Sequence, residues 1–353
     1  MKSLEVEVVE SIGVHTEKST FKKIITNQYL RFVLKKGLFY FLVFYIGISI
    51  AFLIPRLVPG TPLDYIYSPP GGGGGGSVYD AWVLRMEAYY LLDQPMIAQY
   101  WHFIVRFFQG DLGESYYAFR PIQGIIIPYI LPTMLMVLPA VLVTFILGNL
   151  LGGRTGYAKG KANKVGYYSA IALQSAPFYW LGYLFLYIFI IILRIVPFRA
   201  SPINFHPDNF AEIFTLYWIP FAVLVICFTG GWATGMRSLM IYEKESNYIQ
   251  YSQKLGFKEG KLRKYAMRNS ILPQVTGLNL RFNEIMGATL VIESIFNWPG
   301  IGTVFVQSAL QKDHNLIVGA FIFTIIVIVV GNFLIDIIYG VLDPRIRIGS
   351  KEV

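Results

Sequence analysis

The residue types that usually carry chemistry are sparse in this 353-residue chain. A single cysteine excludes a disulfide or a thiolate metal cluster, and the four histidines show no ligand spacing. The segments GYAKGKA (156–162) and GFKEGKL (256–262) look like phosphate-binding loops. Each has three residues between its glycines where a Walker A loop has four, and neither Lys is followed by Ser or Thr. The sequence therefore predicts no catalytic residue, no metal site and no cofactor on this chain.

Polar side chains cluster instead on an otherwise apolar segment, residues 274–294. Ionisable groups inside a membrane span cost roughly 2.5–3.5 kcal/mol each, so they usually face a partner or a wet cavity. Arg281 and Glu284 are three residues apart and can pair on one helix face. The other polar positions predict one wall of a path across the membrane, with packing between helices as the open alternative. These predicted path residues are Asn279, Asn283, Gly287 and Glu293.

A second polar stripe lies near the C-terminus, where Asn332, Asp336, Tyr339 and Asp343 follow a 4-3-4 spacing. That spacing puts them on one helix face. For this stripe, as for the Arg281–Glu284 pair, we expect a structural role inside the membrane.

The composition indicates that the segments carrying these polar groups lie in a membrane. The chain is 55% hydrophobic and only 14% charged, whereas soluble domains are usually about a quarter charged. Six runs are long enough to cross a bilayer, which takes about 20 apolar residues. We therefore predict an all-α membrane protein with six transmembrane helices, within residues 37–55, 130–153, 165–193, 213–236, 274–294 and 314–339.

The orientation follows from the basic residues of the connecting segments. With the N-terminus inside, the inner segments hold 22 Lys and Arg and the outer loops hold seven. Both termini are therefore expected in the cytoplasm, and the basic balance is expected to reflect membrane topology, with no nucleic-acid partner. The predicted parts are a tail with an interfacial helix (1–36), a transmembrane domain (37–347) and a second tail (348–353).

The ends and outer loop have their own patterns. Apolar residues recur at helical spacing within 21–32, which predicts the interfacial helix, whereas residues 1–19 fit a disordered basic tail. The large external loop between the first two spans, 60–128, contains a glycine linker at 71–76. Beyond it, residues 78–95 and 96–115 are typical of amphipathic helices at the membrane surface.

The loop between spans four and five, 237–272, carries eight Lys and Arg residues. Ser246 or Asn247 can N-cap a short helix to Lys254, and Gly256 can end it in the left-handed conformation. A second helix, about 258–271, is expected to lead to Pro273, where the fifth span begins. The pattern predicts a compact knob of two short helices. A simple anchor for anionic lipid is the alternative.

The knob and four other segments resemble the B-type permease of dipeptide/oligopeptide ABC importers. The loop segment is YIQYSQKLG…RKYAMRNSILP, which resembles the cytoplasmic coupling loop of that family. The others are LIPRLVPGTPLD (53–64), LLDQPMIAQYWHFIVRFFQGDLGES (91–115), FNWPGIGTVFVQSAL (296–310) and GNFLIDIIYGVLDPRIR (331–347). Four features depart from the family pattern. The generic acidic-Ala-Ala start reads Gln250-Tyr251-Ser252, the distance from Gly256 to Leu272-Pro273 is slightly short, and the glycine tract and the long N-terminal tail are extra.

The resemblance implies a transport subunit, in the plasma membrane of a bacterium or archaeon, that hydrolyses nothing itself. Its partners would be a homologous second permease, two ATPase subunits that hold ATP and Mg²⁺, an external substrate-binding protein and membrane lipid. It implies an ATPase-coupling segment of Gln250, Tyr251, Ser252, Gln253, Lys254, Leu255, Gly256, Phe257 and Lys258. It also implies an external gate formed by Phe296, Trp298, Pro299 and Gly300, followed by a short helix that folds back.

The cargo stays open at this stage, with oligopeptides ahead of oligosaccharides. A stand-alone secondary transporter is the alternative class. It is less favoured because the chain shows no internal repeat and its carboxylates lie toward the ends of the spans.

Overall fold

The computed structural model describes residues 2–57, 77–157, 160–195 and 210–342. The regular elements in these residues are helices, as predicted. The glycine tract 71–76, Asp343 and the tail 348–353 lie outside the described residues. The helices are α1 (Lys2–Leu57), α2 (Ser77–Tyr90), α3 (Met96–Phe108), α4 (Ile122–Tyr157), α5 (Lys161–Ser175), α6 (Phe178–Phe185, continued by a π-helical stretch Leu186–Ile192), α7 (Phe210–Lys244), α8 (Asn247–Lys254), α9 (Glu259–Thr276), α10 (Leu278–Ile295), α11 (Ile301–Leu310) and α12 (His314–Leu342).

Four helices in the described residues are long and apolar enough to cross a membrane: Tyr29–Ile54, Ile122–Tyr157, Ile213–Lys244 and His314–Val341. The predicted third and fifth spans are each divided into two helices. Pro177 separates α5 from α6 because proline lacks the N–H group that a continuous helix would need there. Gly277 separates α9 from α10. The structure is thus that of an all-α membrane protein.

The N-terminus differs from the prediction. Residues 2–57 form one continuous helix, so the expected disordered tail at 1–19 is wrong for residues 2–19. Residues 21–32 are helical, as predicted, and lead without a break into the first apolar run; the position of this helix at the membrane interface stays a prediction. The physical reason is local: residues 2–54 contain no proline, and the backbone can hydrogen-bond without a break.

The chain divides into two compact units, the first of which comprises Met1–Ile46 and Val329–Val353. Within it, the Asp336 carboxylate lies 2.7 Å from the Lys36 ammonium and accepts a 2.9 Å hydrogen bond from the Tyr40 hydroxyl. The Tyr40 ring meets Phe333 edge to face at 5.9 Å. A carboxylate with two donors is well satisfied in this apolar setting, so Asp336 links α1 to α12.

The second unit, Gly47–Ile328, is built around the pairing of α4 with α7. Gly148, Gly152 and Gly156 recur every four residues on α4 and face α7 directly. A Cβ at Gly152 would overlap the carbonyl oxygen of Ala233, and one at Gly156 would lie 2.8 Å from the Arg237 carbonyl oxygen. Small residues at this spacing let two helix backbones approach closely, which supplies the packing energy that water exclusion cannot provide in lipid.

The connection between α1 and α4 contains the two helices predicted for residues 78–115, and their bounds are close to the prediction. Arg106 lies 3.8 Å from the centre of the Tyr89 ring and 3.1 Å from the Asp111 carboxylate. The Tyr89 hydroxyl also donates to Asp111 at 2.5 Å. Burial, followed by this hydrogen bond, raises the pKa of the Tyr89 phenol well above its usual range. Within residues 77–121, α2, α3 and the segment around Asp111 are therefore packed against one another.

Candidate functional site

The knob forms at the junction of α8 and α9, as the glycine pattern predicted. Gly256 has φ +82°, in the left-handed region that favours glycine. Its N–H group donates to the Gln253 carbonyl at 3.0 Å, and the Phe257 N–H donates to the Ser252 carbonyl at 3.2 Å. These two bonds form a Schellman motif, which satisfies carbonyl groups at the end of α8 and turns the chain sharply into α9.

Two local predictions about this loop need correction. Ser246 occupies the N-cap position of α8, but its hydroxyl donates to the Glu243 carbonyl at 2.6 Å and does not cap the helix. The second helix runs through Pro273 and ends at Thr276, so the break before α10 lies at Gly277. Ser270 and Gln274, on either side of Pro273, are both buried. The Gln274 amide packs on Gly235 of α7, and this contact favours continuation of the helix past the proline.

The root of the knob is buried in an apolar cluster. Ile249 of α8 is 1% exposed, and Leu262 and Ala266 of α9 are equally enclosed. They pack with Tyr157 of α4 and with Met236 and Met240 of α7. A movement of the knob therefore acts on the ends of both long helices.

A polar brace supports the same root. The Tyr248 hydroxyl hydrogen-bonds the Glu243 carboxylate and accepts a 2.8 Å hydrogen bond from Asn269. Burial, and then the bond to Glu243, raises the pKa of the Tyr248 phenol. This contact joins the end of α7 to both helices of the knob.

The tip of the knob is largely exposed. Every residue of the predicted coupling segment 250–258 is exposed except Ser252, which is half-buried. Large apolar side chains are among them, with Tyr251 65% exposed and Leu255 60% exposed. An exposed apolar patch rimmed by cations, here Lys254 and Lys258, is typical of a surface that binds another protein.

A second exposed face runs along α10 and contains two of the predicted path residues. Asn283 and Gly287 are exposed, Asn279 is half-buried beside them, and Leu280 and Val291 continue the face along the helix. This spacing of three and four residues keeps the positions on one side of the helix. An exposed, partly polar face on an apolar helix can line an aqueous path or pack against another subunit.

The Arg281–Glu284 pair lies at the edge of this face. Its charged atoms are 2.7 Å apart, and the side chains are 26% and 38% exposed. The Arg281 guanidinium lies on Gly231 of α7, where a Cβ would come within 2.8 Å of it, and 5.8 Å from the Trp232 ring. The sequence pattern predicted the ion pair but not the glycine that makes room for it.

Glu293 does not lie on this exposed face, so the prediction that it lines the path is wrong. Its side chain is 0% exposed, and one carboxylate oxygen accepts a 2.8 Å hydrogen bond from the Gly302 backbone N–H. Gly300 packs directly on the carboxyl group, so a Cβ there would overlap it. The carboxylate faces inward because α11 folds back onto α10, which brings the α11 backbone against it. Glu293 thus has a structural position inside the α10–α11 turn.

The predicted gate residues form that same turn. Asn297 adopts φ +50°, and α11 follows as the short helix that the proline and glycine predicted. Trp298 is buried, and its indole N–H donates to the Pro132 carbonyl of α4 at 3.2 Å. Pro299 and Gly300 are buried and Phe296 is half-buried. The turn is therefore anchored to α4.

Asn332 and Asp336, the predicted structural residues of α12, are buried at 6% and 7% exposure. Several glycines at close contacts between helices were not among the residues predicted from the sequence. The Gly148–Gly152–Gly156 repeat is a readable signal for close helix packing. Gly302, where a Cβ would overlap the Leu290 backbone, had no such signal because its neighbour is set by the fold-back of α11.

Comparison with known proteins shows the family of the chain. Residues 148–348, more than half of the chain, match the family model described as "binding-protein-dependent transport system inner membrane component". The glutathione transport system permease protein GsiC of Salmonella choleraesuis is 27% identical over 321 residues, which cover 90% of this chain and 99% of that protein. The oligopeptide transport system permease protein AppB of Bacillus subtilis is 28% identical over 309 residues, which cover 86% and 95%.

The match includes the knob, α10, the α10–α11 turn and α12. It places the chain in transport that depends on a binding protein, so the alternative of a stand-alone secondary transporter is not supported. The chain is a membrane-embedded transport subunit and belongs to the family of inner membrane components of binding-protein-dependent transport systems.

Proposed function

We propose that this chain forms half of the translocation path of an ATP-driven importer that takes up peptides, from glutathione-sized to oligopeptides. The support for the cargo class is that relatives named for glutathione and for oligopeptide transport match the chain over almost their whole length. An oligosaccharide cargo remains the second candidate from the sequence resemblance, and no relative described above is named for it.

The proposed topology has six spans with both termini in the cytoplasm. α5 with α6, and α9 with α10, would supply the third and fifth spans as broken helices. α10 has 18 residues, which at 1.5 Å per residue is about 27 Å, close to the hydrocarbon thickness of about 30 Å. The external loop 60–128 and the cytoplasmic loop 237–272 would then lie on opposite sides, as the distribution of Lys and Arg requires.

The structure of the knob is the main support for the proposed coupling of ATP hydrolysis to transport. Its tip, residues 250–258, would dock on an ATPase subunit, which would hold the ATP and Mg²⁺. Its root is packed against the ends of α4 and α7 through Ile249 and Leu262. A push on the tip during ATP-driven closure of the ATPase pair would therefore tilt the long helices rather than bend a loose loop.

The exposed face of α10 would line the path, with Asn279, Asn283 and Gly287 facing the cargo. Within α10, Leu278 to Gly287 corresponds to a helical rise of roughly 14 Å, about half of the hydrocarbon core, with Asn283 on the cytoplasmic side of that level. The polar stripe would thus lie near the membrane midplane, where access alternates between the two sides. The turn at Phe296–Gly300, with α11, would form the external gate near the site where the binding protein delivers cargo.

The test is reconstitution of the chain with a second permease subunit, two ATPase subunits and the external binding protein in liposomes. We expect the ATPase chains to co-purify stoichiometrically and labelled peptide to accumulate only with ATP and binding protein present. Unlabelled peptide should compete, and an oligosaccharide should not. Uptake by the chain alone, driven by an ion gradient, would contradict the proposal, and competition by the oligosaccharide would contradict the cargo class.

A further inference from the structure

A wide cleft lies where the ends of α4 and α7 meet the start of α5. Its volume is about 700 Å³. The two long apolar helices end beside it, α4 at Tyr157 and α7 at Lys244. The cleft is therefore at the depth where the hydrocarbon of a bilayer gives way to lipid headgroups, whichever side of the membrane it faces.

The lining of this cleft is strongly basic. Four cations line it, Lys161, Lys164, Arg237 and Lys244, against one carboxylate, Glu245. In the described ranges, no salt bridge joins any of the four to a carboxylate. Four cations gathered in one cavity with a single carboxylate repel one another, so the cavity favours an anion.

The cations of α7 are held in place by aromatic rings. The Arg237 guanidinium lies 4.4 Å from the centre of the Tyr167 ring. The Lys244 ammonium lies 5.2 Å from the centre of the Tyr157 ring and donates to the Tyr157 carbonyl at 3.3 Å. These contacts fix the positions of the charges and leave their remaining donor groups free to meet a ligand.

The start of α5 contributes the other two cations and a helix N-terminus. Lys161 and Lys164 are exposed on the first turn of this 15-residue helix. Unpaired backbone N–H groups at such a position add to the attraction for a negative group. Exposed apolar side chains lie close by, with Val165 65% and Tyr168 62% exposed.

We propose that this cleft binds the phosphate group of an anionic phospholipid headgroup from the adjoining leaflet. The shared chemistry is that of a phosphate ester, and two observations favour a lipid over a soluble phosphate. The cavity is several times larger than a phosphate ion needs, and the apolar surface of Val165 and Tyr168 beside it suits the glycerol and the first part of the acyl chains. Such a lipid would bridge α4, α5 and α7 at the root of the knob.

The test uses the full chain, purified in neutral detergent and titrated by calorimetry with three probes: dihexanoyl phosphatidylglycerol, dihexanoyl phosphatidylcholine and inorganic phosphate. We expect the phosphatidylglycerol to bind most tightly. Each basic residue near a membrane surface contributes about fivefold in affinity for anionic lipid, so Lys161→Gln with Lys164→Gln should weaken binding about thirtyfold. Restoring the charge with Lys161→Arg and Lys164→Arg should restore binding.

The matched control removes the same charge elsewhere. Lys264 and Arg268 are exposed on α9, on the side away from its buried residues Leu262 and Ala266, and do not line the cleft. Lys264→Gln with Arg268→Gln should change binding by less than about twofold, because exposed charges outside the cleft are largely screened by salt. Equal weakening by both pairs, or equal affinity for phosphatidylglycerol and phosphatidylcholine, would overturn the site. Tight binding of inorganic phosphate with the same dependence on Lys161 and Lys164 would overturn the lipid assignment.

The single variant Lys164→Gln provides a test in case the double variant unfolds. It should lose about fivefold in affinity while keeping the melting temperature of the parent chain. Unchanged binding by this variant would count against the proposal.

Discussion

The turn at Gly256 offers the sharpest test of how the knob works, through the substitution Gly256→Val. The backbone there has φ +82°, and a Cβ at this position would have no heavy atom within 4 Å. Within this chain, any effect of the new side chain therefore comes from the backbone conformation and not from a clash. Holding a non-glycine residue in the left-handed region costs about 1–3 kcal/mol, and a β-branched residue lies at the upper end of that range.

A cost of about 2–3 kcal/mol shifts the equilibrium between the closed turn and opened forms by roughly 30- to 150-fold. The first bonds to break are those of the Schellman motif, from Gly256 to Gln253 and from Phe257 to Ser252. Hydrogen exchange at the amide of Phe257 should accelerate by about the same factor, since exchange reports local opening. In the reconstituted importer, ATP hydrolysis should lose its stimulation by loaded binding protein, and cargo uptake should fall with it.

Gly260→Val is the matched control. Gly260 lies in the first turn of α9 on the same knob and has an ordinary helical conformation, and a Cβ added there would meet no heavy atom within 4 Å. Valine there costs nothing and gains a few tenths of a kcal/mol in helix propensity over glycine. Its exchange rates and uptake should match those of the parent. Normal coupled transport by Gly256→Val, or equal damage by both substitutions, would refute the role of the left-handed turn.

Three further predictions concern the membrane helices. Gly152→Ala should force α4 away from α7 and reduce the yield of folded protein in detergent. Gly124→Ala on the same helix should be neutral, because a Cβ there would have no heavy atom within 4 Å. Equal yields of the two variants would contradict the close packing. Asn283→Leu should leave folding and ATPase binding intact but change peptide uptake rate or preference, and unchanged uptake of every peptide would remove α10 from the path. Asp336→Ala should lower the free energy of unfolding by about 1–3 kcal/mol, because the Lys36 ammonium and the Tyr40 hydroxyl both lose their partner. Lys36→Gln should lower it less, since the hydrogen bond from Tyr40 remains. The reverse order would be evidence against this network.

Local rules determined much of this protein. A transmembrane run is recognised from its own residues, because lipid requires every backbone group to bond within the segment. The left-handed Gly256, the short helix after Gly300 and the Arg281–Glu284 pair were all predicted from neighbours within a few residues. These features depend, respectively, on one φ angle, on one break in a helix and on the spacing of one helical turn. Residues close in the sequence determine each of them.

Packing between distant segments decided the rest. Glu293 has the same sequence context as a path residue, yet the fold-back of α11 turns it inward to the Gly302 backbone. Pro273 has the local signal of a helix start, yet burial of Gln274 against Gly235 carries α9 past it. The basic cleft exists only because α4 and α7 end at the same level beside α5. Which face of a helix is buried, and against which partner, depends on contacts between residues far apart in the chain, and no local pattern specifies them.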